Sequence, residues 1–360
     1  MTTIETNIIS DARPSLKLSC PMPKLDFDVI TMAHGSGGLL THRLLEAGVF
    51  DLLKNDQLDH QHDGAFLTLN GRVAFSTDSY VISPVFFPGG NIGELAVNGS
   101  VNDIAMCGAI PKYLSLAFIL EEGLAMSDFW EILVSIKAAS ERAGVTIVTG
   151  DTKVVEKGKG DQIFINTSGI GQMHPRANIN ASRINVGDQI IVSGFVATHG
   201  VAILSKRQGL EFETTLQSDT APLNHLVQKI LDEVGPLIHF LRDPTRGGVA
   251  TVMNEIAQQT QLGISLQHAA IPVMDEVEGA CEMLGLDPLY VANEGIFISI
   301  VDAKAADKVL AVMREQPLGK NAAIIGEVTK AHPGQVILKS KIGGSRVVTM
   351  LVGEQLPRIC

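Results

Sequence analysis

The chain has 360 residues, 45% hydrophobic and 19% charged, which suits a globular protein with interior for two domains and excludes a disordered or disulfide-stapled chain. Lys and Arg number 28 against 39 Asp and Glu, a formal charge of −11, and such an acidic chain repels polyphosphate at long range, which argues against nucleic acid as a partner. No apolar run approaches the ~20 residues that span a bilayer, so no membrane partner is expected.

Residues 1–31 lack periodicity and contain Pro14, Pro21 and Pro23, so they read as a mobile or draped extension. Their opening, MTTIETNIISDARPS, has neither the basic nor the apolar region of a secretory signal. The expected N-terminal domain covers 32–173. Its predicted strands are Arg72–Ser76, Tyr113–Leu120, Val145–Thr149 and Gln162–Thr167, rich in Val, Ile, Phe and Thr. Its predicted helices are Asn91–Met106 and Ser127–Ala143, with apolar residues at three- and four-residue steps. MHPRANINASRINVGD makes a junction to a second domain expected over 184–335. There the predicted strands are Gln189–Ser193, Gly263–Leu266 and Gly295–Val301, and the helices Gly248–Gln259 and Ala303–Arg314. Residues 336–360 read as strands Val336–Lys339 and Arg346–Leu351 followed by a mobile tail ending in Cys360. Mixed strands and helices in both blocks give a mixed α/β (α+β) class in two domains. Cysteines at 20, 107, 281 and 360 have no metal-ligand spacing and suggest a reducing cytoplasm.

Neither GxxxxGK[ST] nor a fitting GxGxxG occurs, which excludes the P-loop and Rossmann signatures. Acidic residues instead close apolar segments: Asp63 after HQH, Asp78 in AFSTDS, Asp151 in VTIVTGDTK and Asp243 in IHFLRDPTRGG. Carboxylates on one rim of a sheet can gather a hard divalent cation, although Asp is also an ordinary turn residue. Asp103, in NGSVNDIAMCGA with Asn98 and Asn102, sits near a helix C-terminus, where the dipole disfavours an acid unless a cation offsets it or water solvates it. In RDPTRGGVATVMNEIA, Asp243 is expected as an N-cap with Pro244 at the first helical position. Gly247, Gly248 and Arg246 would then offer bare backbone and positive charge to an anion. A tight corner needing small residues explains the glycines equally well. Lys153, two residues beyond Asp151, suits a phosphate or a proton transfer, or is simply solvated. Glu294, in the apolar YVANEGIFI, is a candidate general base or a turn acid. The terminal Cys360 ends GEQLPRIC, and seven extended residues from Gly353 reach ~23–25 Å, the geometry of a swinging carrier.

AHGSGG, FSTDSYVISPVFFPGGNIGELA, NDIAMCGAIP, TGDTKVV, RDPTRGGV, ANEG and PRIC together resemble the HypE family of carbamoyl dehydratases, hydrogenase maturation factors of the PurM-like superfamily that includes aminoimidazole ribonucleotide synthetase and selenophosphate synthetase. The resemblance covers about residues 32–360. It implies a two-domain fold whose N-terminal domains pair through their sheets in a homodimer, with Mg²⁺-ATP between the domains near the dimer interface. It also implies that a carbamoyltransferase, HypF, loads Cys360, and that ATP drives dehydration of the thiocarboxamide to a thiocyanate. The cyanide then passes to iron on a HypC–HypD scaffold for nickel–iron hydrogenase assembly.

On that resemblance Asp63, Asp78, Asp103, Asp151 and Asp243 become candidate Mg²⁺ ligands. Asn98, Asn102, Thr152, Thr245, Arg246, Gly247 and Gly248 become candidate ATP contacts, Glu294 and Lys153 the proton-handling groups, and Cys360 the carrier. The competing readings are another ATP-dependent enzyme of the superfamily acting on a free small molecule, and a non-catalytic nucleotide-binding scaffold.

Overall fold

The computed structural model describes residues 22, 27–60, 62, 64–209, 216–351, 358 and 359. A short helix α1 (Leu39–Leu44) runs into a π-helical stretch and then a loop to β1 (Val73–Tyr80). The hairpin β2 (Phe86–Phe87) and β3 (Gly90–Asn91) leads into α2 (Ile92–Met106), then β4 (Ala109–Glu121), α3 (Met126–Ala143), β5 (Thr146–Val155) and β6 (Ile163–Met173). These strands form a four-stranded sheet in the order β1-β6-β4-β5, antiparallel except for the parallel β4–β5 pair. Burial alternates along β1, so Ala74 and Tyr80 face α2 while Val73 and Phe75 are exposed on the other side. One face of this sheet is therefore uncovered among the described residues.

The second half builds a seven-stranded sheet, β13-β12-β9-β11-β7-β10-β8. Its strands are β7 (Gln189–Val192), β8 (Ile238–Arg242), β9 (Gly263–Gln267), β10 (Ile298–Val301), β11 (Ala323–Thr329), β12 (Val336–Lys339) and β13 (Ser345–Val348). Helices α4 (Thr198–Gln208), α5 (Asn224–Val234), α6 (Gly248–Thr260), α7 (Asp275–Leu284) and α8 (Ala306–Arg314) intervene in chain order. β12 pairs with β9 in parallel, so residues 336–348 belong to this sheet.

Helix α2 joins the halves. Its Asn91 cap accepts from the N–H groups of Gly93 and Glu94, and nearly every residue behind it is buried. Ile92, Leu95 and Val101 pack into the first core, whereas Ala105 and Met106 share a cluster with Ile191, Leu226 and Phe297 of the second half. Close packing needs Gly93, where a Cβ would lie 2.7 Å from the Ile132 carbonyl oxygen. Residues 28–30, expected in the draped extension, are instead packed. Ile30 is fully buried, its N–H bonds the Leu124 oxygen, and Val29 bridges Ala125.

Candidate functional site

Three of the expected metal ligands meet where α2 crosses from one half to the other. Asp78 lies on the α2 side of β1, and Ser76 beside it donates to Asp103 Oδ2 at 2.6 Å from the last turn of α2. Asp243 follows β8 and is 8% exposed. Burial pushes the Asp243 carboxyl up to about 7, helped by the charge of Asp103 and, less, of Asp78. Asp103 is raised as well, by burial and by Asp78, against the Ser76 hydrogen bond and the charge of Arg242. Arg246 approaches Asp78 at 4.0 Å. Tyr80, fully buried, has its phenol held well above the ordinary value by burial and by Asp78, Glu294 and Asp103. These acids and Glu294 thus share one electrostatic neighbourhood.

A trio of carboxylates in which Asp103 and Asp78 raise the proton affinity of Asp243 presents the hard-oxygen donor chemistry of Mg²⁺, and a cation there would relieve the repulsion. Among the described residues no three His, Cys, Asp or Glu side chains stand close enough to coordinate an ion, so the trio would have to close around it. Asn98, fully buried, supplies an acceptor, Oδ1, with no hydrogen-bond partner among the described residues, while its amide donates to Thr220 Oγ1 at 3.2 Å.

Other expected site residues are placed differently. Asp78 and Asp151 were expected just past strand ends, but β1 and β5 run longer and contain them. They sit on the opposite edges of the first sheet, about 14 Å apart at three strand spacings. They also face opposite ways. Asp78 is in register with buried Thr167 and Leu116, whereas Asp151 and Lys153 pair with Ala117 and Ile119 on the open face. Within one chain Asp78 and Asp151 cannot share an ion. Lys153 Nζ lies 2.9 Å from Asp151 Oδ1, an exposed pair that holds the Asp151 carboxyl below its usual range, and Thr152 donates its N–H to the same oxygen.

Asp243 is not an N-cap. Helix α6 starts at Gly248, capped by Gly247 in the left-handed region at φ 76°, and Asp243–Arg246 form the loop before it. The Gly248 N–H closes a turn on the Thr245 carbonyl at 3.0 Å. A Cβ on Gly247 would meet Thr251 Oγ1 at 2.2 Å, and one on Gly248 the Leu289 oxygen at 2.5 Å. The corner itself therefore demands both glycines, whether or not an anion binds. Asn102, expected as a nucleotide contact, is committed to the protein backbone: its amide donates to the Ala221 and Glu294 oxygens and its Oδ1 accepts from Leu223 N–H. Asp63 and Cys360 lie outside the described residues, as does Cys20. Cys107 caps α2 and is exposed, whereas Cys281 is buried and pushed up to about 11 by that burial.

The sequence reading missed the segment that holds Glu294. Glu294 is 4% exposed in the loop before β10. Its N–H donates to Asp219 Oδ1 at 3.1 Å, and Gly295 is required because a Cβ there would strike the Asp219 carbonyl oxygen at 1.6 Å. This contact explains why β10 begins at Ile298 and not at the expected Gly295. Burial pushes Asp219 up to about 6 against these backbone hydrogen bonds. Asn293 ties three loops together, accepting from Ala197 N–H at 2.6 Å and donating to the Pro244 and Val291 oxygens. The positive φ of Ala197 and the half-buried polar side chains of 218–220 leave no periodic signal in a single sequence.

Comparison with known proteins gives this geometry its context. Residues 61–173 match the N-terminal domain of AIR synthase related proteins and residues 185–339 match their C-terminal domain. Carbamoyl dehydratase HypE of Bradyrhizobium diazoefficiens is 50% identical over 332 residues, 92% of this chain and 96% of that protein. The crystal structure of hydrogenase maturation protein HypE in complex with ATP superposes with a TM-score of 0.88 at 49% identity, covering 91% of this chain and 99% of the other. HypE in a HypE–HypF complex gives 0.76 at 43% identity over 87% of this chain and 100% of that one. The chain belongs to the HypE carbamoyl dehydratase family, on the two-domain mixed α/β fold of AIR synthase related proteins.

Proposed function

We propose that this protein uses ATP to dehydrate an S-carboxamide on its own Cys360 to an S-thiocyanate, which donates cyanide during nickel–iron hydrogenase maturation. One observation carries the reading: the buried carboxylate Glu294 acts on the buried Tyr80 phenol together with Asp78 and Asp103. A base shielded from water beside a cation-ready cluster suits a phosphoryl transfer coupled to proton removal.

The amide oxygen attacks the γ-phosphorus as the bond to ADP breaks, and one N–H proton leaves. Loss of the second N–H proton expels phosphate and completes the C≡N bond. Atoms balance as S–C(=O)NH₂ plus ATP giving S–C≡N, ADP and phosphate. Glu294 takes the amide protons, and Lys153 assists. Asp78, Asp103, Asp243, Asp151 and Asp63 are the candidate holders of Mg²⁺, whose chemistry is to neutralise the phosphate charge. Asn98, Thr152, Thr245 and Arg246 contact the nucleotide, with the bare backbone of Gly247 and Gly248, and Asn102 positions the segment beside it. Binding of ATP is supported by the similar HypE that was crystallised with it.

The chain acts as a homodimer joined through the open face of its first sheet. Support comes from exposed Val73, Phe75 and Ile119 on that face, and from the separation of Asp151 and Lys153 from Asp78 within one chain. A second copy can supply the missing edge. HypF is the carbamoyl donor, in keeping with the HypE–HypF complex of the similar protein, and HypC–HypD receives the cyanide. No helix among the described residues is long and apolar enough to cross a membrane, and we place the reaction in the cytoplasm. Phosphate release tests the proposal. The chain carbamoylated by HypF should release one phosphate per tail from ATP, and the uncarbamoylated chain none; equal release from both would remove the tail as substrate.

A further inference from the structure

Ile359 is a core residue of the first half, 3% exposed, although it is the penultimate residue of the sequence. Its carbonyl oxygen lies 2.8 Å from Nε2 of His199, a fully buried side chain on α4. A carbonyl only accepts, so Nε2 carries the proton, and Nδ1 then accepts from Ser218 Oγ at 2.8 Å. The neutral imidazole satisfies both ring nitrogens. Phe87 sits edge-on to the ring, with centroids 5.7 Å apart, and fixes its plane. One residue earlier, the Arg358 carbonyl accepts from Ser83 N–H and from the Arg207 guanidinium, while the Arg358 side chain reaches Asp161 Oδ1 at 2.8 Å.

Behind His199 the contacts continue toward the proton-handling loop. Ser218 Oγ accepts from Thr220 N–H at 3.1 Å, Thr220 Oγ1 accepts from Asn98, and Asp219 between them holds the Glu294 N–H. The elements that grip the Arg358–Ile359 main chain thus also set the backbone of Glu294.

We propose that His199, oriented by Ser218, and Arg207 are positioning residues that form a receptor for the Arg358–Ile359 main chain and set the register of the following residue relative to Glu294. The receptor reads backbone carbonyls. It therefore accepts the tail whatever group the last thiol carries, provided the main chain can take up the left-handed turn at Arg358, where φ is 55°. The next Cα is a single peptide step away, ~3.8 Å, so a receptor for the Ile359 main chain can act on the residue that follows. The inference rests on the dehydration reading for its purpose but not for its geometry.

Two readouts test it on the full-length protein. Carboxypeptidase release of the last residue, followed by intact mass, reports tail docking without any chemistry. His199→Leu and Arg207→Gln should each speed release about tenfold, the equilibrium weight of one buried hydrogen bond, while His199→Gln, which keeps a donor and an acceptor, should stay within about threefold of the parent. Single-turnover dehydration of the carbamoylated chain should fall in His199→Leu and recover in His199→Gln, with ATP affinity unchanged. Unchanged release in folded His199→Leu, or equal impairment of the Leu and Gln variants, would overturn the receptor. If His199→Leu fails to fold, unchanged release in Arg207→Gln overturns it. A docked, protected tail in a parent that never dehydrates it would sink the proposed function and leave the receptor standing.

Discussion

Glu294 and His199 are both buried titratable residues, and their partners give them opposite duties. Glu294 acts on a raised tyrosine together with carboxylates, and its proposed role as the base rests on those surroundings. Glu294→Gln should bind ATP as the parent does but form thiocyanate at least ~10²-fold more slowly, the usual weight of an acid–base group. Isothermal titration paired with single-turnover rates separates the two; weakened binding with normal turnover would remove the assigned role. His199 is held neutral, its imidazole lowered to about 4 chiefly by burial. A group whose folded value lies below its unfolded value stabilises fully above the unfolded value, ~6.5, and that stability is lost as pH falls toward the folded one. Denaturation midpoints should therefore drop between pH 6.5 and about 4, and His199→Gln should flatten that slope. A slope unchanged in the variant would assign the effect to other groups.

The elements explain why some of the site was legible in the sequence and some was not. Asn91–Met106 was readable as a helix because its cap and apolar spacing are local, and α2 spans Ile92–Met106. The strand lengths were not. Asp78 and Asp151 looked like turn acids, yet β1 and β5 carry them because cross-strand pairing continues regardless of their low strand propensity. The Asp243 cap failed for a related reason: loops tied by Asn293 fix where α6 starts, and a remote contact leaves no local signature. Helix α2 also sets a limit on substitution. At Gly99 a Cβ would lie 2.3 Å from the Tyr80 hydroxyl, so Gly99→Ala should destabilise the protein by about 1–3 kcal/mol through overpacking. Chemical denaturation measures this, and a neutral result would mean that β1 shifts freely against α2.

At the scale of the whole molecule, the dimer proposed through the open face of the first sheet would connect assembly to chemistry. Phe75 is 68% exposed there, so Phe75→Asp should turn the dimer into a monomer without unfolding it, and light scattering reads the mass. A monomer of full activity would contradict the need for a second copy. Asp78→Asn and Asp151→Asn, each inactive alone, should regain part of the parental rate when unfolded together and refolded as mixed dimers, because one interface of such a dimer then keeps both acids. The proposed reaction is that the chain dehydrates its own carbamoylated tail. Intact and peptide mass after incubation with HypF, with and without ATP, tests it most directly. The expected result is a loss of about 18 Da, one water, on the peptide ending in Cys360 and only when ATP is present, as activation of the amide oxygen by phosphoryl transfer requires. A tail peptide whose mass stays at the carbamoyl value while ATP is consumed would contradict it.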